Sequence, residues 1–141
     1  MADGIRIEIV SPERLVLSEQ AQSVVVPGTE GYFTVMGEHA PLMSTLKPGF
    51  ITVTRADGAT TSYYVRGGFA DVSPDGLTIL AEKASSLADF DRADIEKALA
   101  EAQEQLAKAE THEQRSYAQE LVNGWLNLMM EAGQLNEAHV H

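Results

Sequence analysis

This 141-residue chain carries four histidines and 21 carboxylates but no cysteine, which excludes disulfides and thiolate chemistry. Glu38-His39 is the one acid–histidine neighbour pair among residues 1–88. Neighbours on an extended strand point to opposite faces, which weighs against shared acid–base work. His139-Val140-His141 has spacing that could chelate a metal, but a chain end frays, and the pair is read as adventitious. No phosphate-cradling Gly-rich loop, no Gly-x-Ser-x-Gly elbow and no His-Glu-x-x-His helix occurs. The acids near the C-terminus lie on helical faces and default to solvation. The sequence therefore predicts no catalytic residue, no metal site and no cofactor; an enzyme is not expected.

Charge narrows the partners. The formal net charge is −11, which should repel nucleic acid and anionic headgroups. Residues 1–88 carry ten acids and six bases, and residues 89–141 carry eleven acids and four bases. The second part is the more acidic for its length. No apolar run is long enough to span a bilayer. Met1-Ala2-Asp3-Gly4 has neither a signal core nor an Arg-rich transit pattern, so a bacterial cytoplasmic setting is expected over an organelle.

From residue 5 to residue 83 the pattern has period two. Ile5-Arg6-Ile7-Glu8-Ile9 alternates cleanly. Ser23-Val24-Val25-Val26 is β-branched and is expected to stop at Pro27-Gly28. Phe50-Ile51-Thr52-Val53-Thr54, a turn at Ala56-Asp57-Gly58-Ala59, and Thr61-Ser62-Tyr63-Tyr64-Val65 read as a hairpin. Phe69-Ala70-Asp71-Val72 and Leu77-Thr78-Ile79-Leu80-Ala81 flank another turn at Pro74-Asp75-Gly76. The segment from Val26 to Leu42 does not fit a plain hairpin; its glycines and prolines read as an ordered contact loop. These short strands predict an antiparallel β-sandwich or flattened barrel over residues 1–88.

Near Asp89 the period changes. Asp91 can cap a helix, and Ile95, Ala98, Leu99, Ala102, Leu106 and Ala109 form a thin apolar stripe. Glu104 and Lys108 are a favourable i,i+4 pair. Thr111-His112-Glu113-Gln114 reads as a capping box. A second helix then places Tyr117, Leu121, Trp125, Leu128, Met129 and Ala132 on one side, with Gly133 as its stop. The class is α+β: a sandwich, then an antiparallel two-helix hairpin over residues 89–141, with helices at about 91–110 and 112–132 and a frayed C-terminus. Two such helices bury little between them, so the hairpin needs further packing, on the sandwich or on a partner.

Four segments carry a resemblance: Val26-Pro27-Gly28-Thr29-Glu30-Gly31, Gly37-Glu38-His39-Ala40-Pro41-Leu42, Leu46-Lys47-Pro48-Gly49 and Gly67-Gly68-Phe69-Ala70-Asp71-Val72. In this order and spacing the chain resembles the epsilon subunit of F-type, proton-translocating ATP synthase, called delta in mitochondria. The resemblance implies a non-catalytic subunit of the central stalk. It turns with the gamma subunit and couples proton flow through the c-subunit ring to synthesis on other subunits. By that resemblance Glu30, Gly31, Tyr32, Glu38 and His39 lie toward the c ring, and Leu42, Met43 and Ser44 toward gamma. Members often have an acid where this chain has Tyr32, which points to an apolar or hydrogen-bonded contact there. The location implied is peripheral, on the cytoplasmic face of a bacterial inner membrane.

In many members the hairpin extends into the catalytic head of alpha and beta subunits and blocks ATP hydrolysis, using basic residues. Here the second helix has Arg115 as its one Lys or Arg, so inhibition is expected to be weak or absent. Some members bind ATP through an Ile/Leu-Asp-x-x-Arg-Ala motif. Phe90-Asp91-Arg92-Ala93-Asp94-Ile95 keeps Asp91 but puts Asp94 in the arginine position. Glu82, in a similar context, does not compensate, so no nucleotide binding is expected. Two alternatives remain at this point: a nucleotide-sensing regulatory subunit with an inhibitory hairpin, and an unrelated sandwich that binds a small ligand.

Overall fold

The computed structural model describes residues 4–140, with side chains described through Leu135. The chain forms two compact units that divide between Phe90 and Asp91. The His139–His141 pair lies outside the described side chains.

The first unit holds ten strands: β1 (Ile5–Val10), β2 (Leu15–Ala21), β3 (Ser23–Gly28), β4 (Gly31–Met36), β5 (Leu42–Thr45), β6 (Gly49–Thr54), β7 (Thr60–Arg66), β8 (Phe69–Ser73), β9 (Gly76–Leu80) and β10 (Lys83–Ser86). They form two five-stranded sheets, ordered β2-β1-β9-β8-β5 and β10-β7-β6-β3-β4. The pairing is antiparallel except between β1 and β9, which run parallel with Ile7 opposite Leu77 and Ile9 opposite Ile79. Period-two alternation sends Ile5, Ile7, Ile9, Leu77, Ile79, Val24, Val35, Ile51, Val53 and Val65 into one shared core. On the order of 2 kcal/mol accrues per such side chain removed from water. The sandwich expected from the sequence is present.

Three readings need correction. Pro27-Gly28 does not stop β3, which runs on to Gly28. Pairing with β6 ends at Val25, and the Pro27 carbonyl instead accepts a hydrogen bond from Lys47 N at 3.0 Å. The missing N–H of Pro27 therefore interrupts no ladder. Second, the segment after Val26 is a hairpin after all. Gly28 opposes Gly31 across the two-residue turn Thr29-Glu30, and β4 returns along β3 to pair Met36 with Ser23. Third, β2 and β10 had no clear sequence signal. β2 is interrupted by a register shift near Val10, and its burial alternates only from Leu17 onward.

An ion pair joins the sheets at one side. Arg55, just past β6, reaches Glu19 of β2 at 2.6 Å. The Glu19 carboxylate, with a smaller contribution from Tyr63, raises the Arg55 guanidinium above its ordinary pKa. On the outer face of the second sheet, Phe90 packs edge-on against Phe50 (centroids 5.4 Å apart) and tilted against Tyr64 (5.0 Å). Leu87 N also bonds the Ser62 carbonyl at 3.1 Å. The segment leaving the sandwich is thus fixed to it up to its last residue.

The second unit is two helices, α1 (Arg92–Lys108) and α2 (His112–Val140), packed along each other. Asp91 caps α1 by accepting from Ala93 N at 2.9 Å. Lys108 pairs with Glu104 at 2.7 Å. The capping box is reciprocal: Gln114 N donates to Thr111 Oγ1 at 3.1 Å, and Gln114 Oε1 accepts from Thr111 N at 3.3 Å. Ile95, Ala98 and Ala102 are buried as the α1 stripe requires. In α2 most of the expected stripe holds, with Ala118 and Val122 joining it and Tyr117 falling outside. Ala118, Val122, Trp125, Leu128 and Ala132 are buried, whereas Tyr117 is 62% exposed. Gly133 does not end α2, which continues to Val140; no backbone reversal is imposed there, and glycine inside a helix costs only about 1 kcal/mol.

Candidate partner interface

Three of the four resemblance segments meet at one end of the sandwich. The β3–β4 turn is held there by Thr29 N to the Thr45 carbonyl at 3.0 Å and by the Thr29 and Thr45 hydroxyls at 2.8 Å. Gly28 bridges to Leu46, and Leu46 N bonds the Gly68 carbonyl at 3.0 Å. The turn of Glu30, the Leu46-Lys47-Pro48-Gly49 link and the Gly67-Gly68 pair therefore form one hydrogen-bonded surface. Gly68 (φ 97°) is required: a side chain there would overlap the Leu80 carbonyl.

At this end Tyr32 is 46% exposed, and Lys47 Nζ sits 4.8 Å from its ring centroid. Sequence reasoning recorded Lys47 only as part of a motif and did not place it against Tyr32. An aromatic at Tyr32 and a lysine beside the Pro48-Gly49 turn were the available signal.

Glu38 and His39 lie at the opposite end of β4, beyond Met36. The six-residue strand Gly31–Met36 lies between Glu30 and this pair and spans roughly 17 Å. The five residues expected to face the c ring are therefore two groups joined by the open edge of β4. Glu38 has φ 68°, in the left-handed region that favours glycine. His39 Nδ1 lies 2.8 Å from the Ala40 carbonyl. The two residues border a shallow hollow shared with Arg6, Gln20 and Asp75.

Leu42, Met43 and Ser44 lie on β5, the edge of the other sheet. Alternation turns Leu42 and Ser44 toward the core side and Met43 outward beside Asp71. Met43 is 64% exposed. Glu82 lies over Gly67, where an added side chain would collide with it. The Asp91 carboxylate is already engaged in capping α1. Among the described residues no group of three or more His, Asp or Glu is placed to hold a metal. Among the described residues no helix is long and apolar enough to cross a membrane.

A sandwich of two five-stranded sheets followed by a two-helix unit is the fold that carries these candidate residues. Residues 4–86 match the family profile described as ATP synthase, Delta/Epsilon chain, beta-sandwich domain. The ATP synthase epsilon chain of Mesorhizobium japonicum is 50% identical over 123 residues, covering 87% of this chain and 91% of the relative. That of Chelativorans sp. is 48% identical, covering 86% and 90%. The chain belongs to the ATP synthase epsilon-chain family. A chain in the Euglena gracilis mitochondrial ATP synthase (OSCP/F1/c-ring, rotational state 1) shares the fold, with a TM-score of 0.66 at 23% identity, over 100% of this chain and 84% of that one. One in the central stalk/c-ring of the Tetrahymena thermophila mitochondrial enzyme gives 0.59 at 15%, over 90% and 94%.

Proposed function

We propose that this chain is a non-catalytic rotor subunit, peripheral on the cytoplasmic face of a bacterial inner membrane. It couples proton flow through the c ring to ATP synthesis on other subunits. The observation that carries the reading is the hydrogen-bonded end where the Pro27–Tyr32 turn, Lys47 and Gly68 meet, in a chain half identical to epsilon chains. Glu30, Gly31, Tyr32, Glu38 and His39 face the c ring. Because they occupy both ends of β4, the ring lies along that strand's open edge. Leu42, Met43 and Ser44 on the neighbouring β5 edge face gamma.

The hairpin is weakly inhibitory or non-inhibitory. Arg115 is the one basic residue of α2, which leaves little to hold an extended helix against an acidic surface. ATP is bound weakly or not at all, since Asp91 already caps α1 and Asp94 places an acid where phosphate would lie. The deciding measurement is ATP hydrolysis by the assembled complex with and without residues 89–141. Nearly unchanged rates are expected, and a large increase on deletion would overturn the reading of the hairpin. Proton-driven ATP synthesis should be lost when the whole chain is omitted; unimpaired synthesis would remove the coupling role itself. Calorimetry on the full chain should show no micromolar ATP affinity.

A further inference from the structure

Near the tip of the hairpin, Tyr117 holds its ring 62% exposed on α2. It walls a groove of about 400 Å³ between the two helices, opposite Glu101, Glu104 and Lys108 of α1. Helical spacing puts Glu113 four residues before Tyr117 and Glu120 three after it, on the same stripe of α2. The ring therefore stands among carboxylates of both helices. The bases of the hairpin leave that charge in place. Lys108 is taken up by Glu104 at 2.7 Å and Arg92 by Glu96 at 3.5 Å. Arg115 lies about half a turn round α2 from Tyr117. Glu101, Glu113, Glu120 and Lys97 are in no ion pair among the described residues.

The stripe runs on from Glu120 to Gly124, about 10 Å along the axis from Tyr117. Glycine weakens a helix interior relative to alanine, and the fold gives no reason for it here. Gly124 is exposed, it is not among the glycines of positive φ, and an added side chain would meet open space. What a bare backbone at an exposed helical position does supply is room for another chain to come close.

We propose that the Tyr117–Gly124 face of the hairpin seats a basic helix of another protein. One arginine or lysine of that helix lies over the Tyr117 ring among Glu101, Glu113 and Glu120, and its backbone passes close over Gly124. Charge selects this occupant. The face of an aromatic ring and unpaired carboxylates both attract a cation, and the groove has room for a guanidinium group. A second copy of this chain is disfavoured by the net charge of −11 on each, and nucleic acid is repelled for the same reason. The inference does not rest on the contacts proposed for the sandwich. It gives the eleven acids and four bases of residues 89–141 a use opposite in sign to a grip on an acidic surface.

The test is a titration of the full, isotope-labelled chain at low salt with a capped, alanine-rich helical peptide that carries arginines on one face. Amide signals of residues 101–124 should move saturably, and the same peptide with citrulline for arginine should move none. Tyr117→Leu and Gly124→Leu should each weaken binding about tenfold or more without lowering the unfolding midpoint. Glu13→Gln, which removes an exposed acid between β1 and β2, should leave binding unchanged. Absence of binding would overturn the proposal. So would shifts scattered over the acids of both units, or binding that both hairpin variants leave intact, since either means general charge attraction. If Gly124→Leu lowers the midpoint, Tyr117→Leu decides alone. None of these outcomes touches the coupling role, which ATP synthesis by the assembled complex measures.

Discussion

The ammonium of Lys47 lies over the ring of Tyr32, 4.8 Å from its centroid. It ties the β5–β6 link to the start of β4 across the end of the sandwich. An exposed cation–π pair contributes about 0.5–1 kcal/mol. A double-mutant cycle with Tyr32→Leu and Lys47→Met, followed by urea unfolding, should return a coupling of that size. Additive losses would show that the two residues merely sit near each other.

Glu38 holds φ 68° without glycine's freedom. An L-residue pays roughly 1–2 kcal/mol in this region, partly offset in a glycine variant by the entropy glycine loses on folding. Glu38→Gly should therefore stabilise the chain by about 0.5 kcal/mol, and Glu38→Val should destabilise it by more than about 1 kcal/mol. Equilibrium unfolding of the two variants checks the order. If Glu38 also meets the c ring, Glu38→Gly will gain stability while weakening that contact.

Gly68 and Gly58 separate two kinds of glycine requirement. Both have positive φ, but an added side chain at Gly68 overlaps the Leu80 carbonyl, and at Gly58 it meets open space. Gly58→Ala should cost about 1–2 kcal/mol from backbone strain alone. Gly68→Ala should cost about 3 kcal/mol or more and broaden amide spectra around β8 and β9. Equal losses would mean that the β8–β9 hairpin yields more easily than its close packing suggests.

Thr111 and Gln114 satisfy each other's amides at the start of α2. Thr111→Ala should cost about 1 kcal/mol, localised to the first turn of α2. Hydrogen exchange should quicken at Gln114 and Arg115 with the sandwich amides unaffected.

Arg55 is held charged by Glu19. A raised folded-state pKa gives a contribution that is complete below the unfolded-state value and is lost only as pH climbs through the folded one. With both side chains about a third exposed, the pair is worth at most about 1 kcal/mol. The cost of Arg55→Met should therefore be small, constant from neutral to mildly alkaline pH, and lower in high salt. A cost that vanished by about pH 9 would require another titrating group.

Much of this organisation was legible in the residues, and the misses have physical causes. Ile5, Ile7 and Ile9 announce a half-buried strand because one face meets the core and the other meets water. β2 hides because its register slips beside Val10 and Glu19 points coreward to meet Arg55. Pro27 was read as a stop because the sequence does not reveal which side of a strand lacks a neighbour. Tyr117 was assigned to the buried stripe of α2 although Ala118 fills that place; Trp125, Leu128 and Ala132 keep the expected phase, and the miss is confined to a position where a bulky ring was preferred to an adjacent alanine. Motif order singled out the four segments that carry the resemblance. That three of them converge while Glu38-His39 stands a strand-length away depends on the β3–β4 hairpin, which glycines and a proline had disguised.

The parallel union of β1 with β9 also governs how the molecule can be made. Ile7 waits for Leu77, and Ile9 for Ile79, so the first strand synthesised has a flank that stays open until nearly the whole sandwich has left the ribosome. The β3–β4 and β6–β7 hairpins join near neighbours in the chain and can form early. The β2-β1-β9-β8-β5 sheet closes last and against the larger loss of chain entropy. During that interval β1, with three isoleucines in five residues, is the segment a nascent chain must keep from meeting another copy of itself.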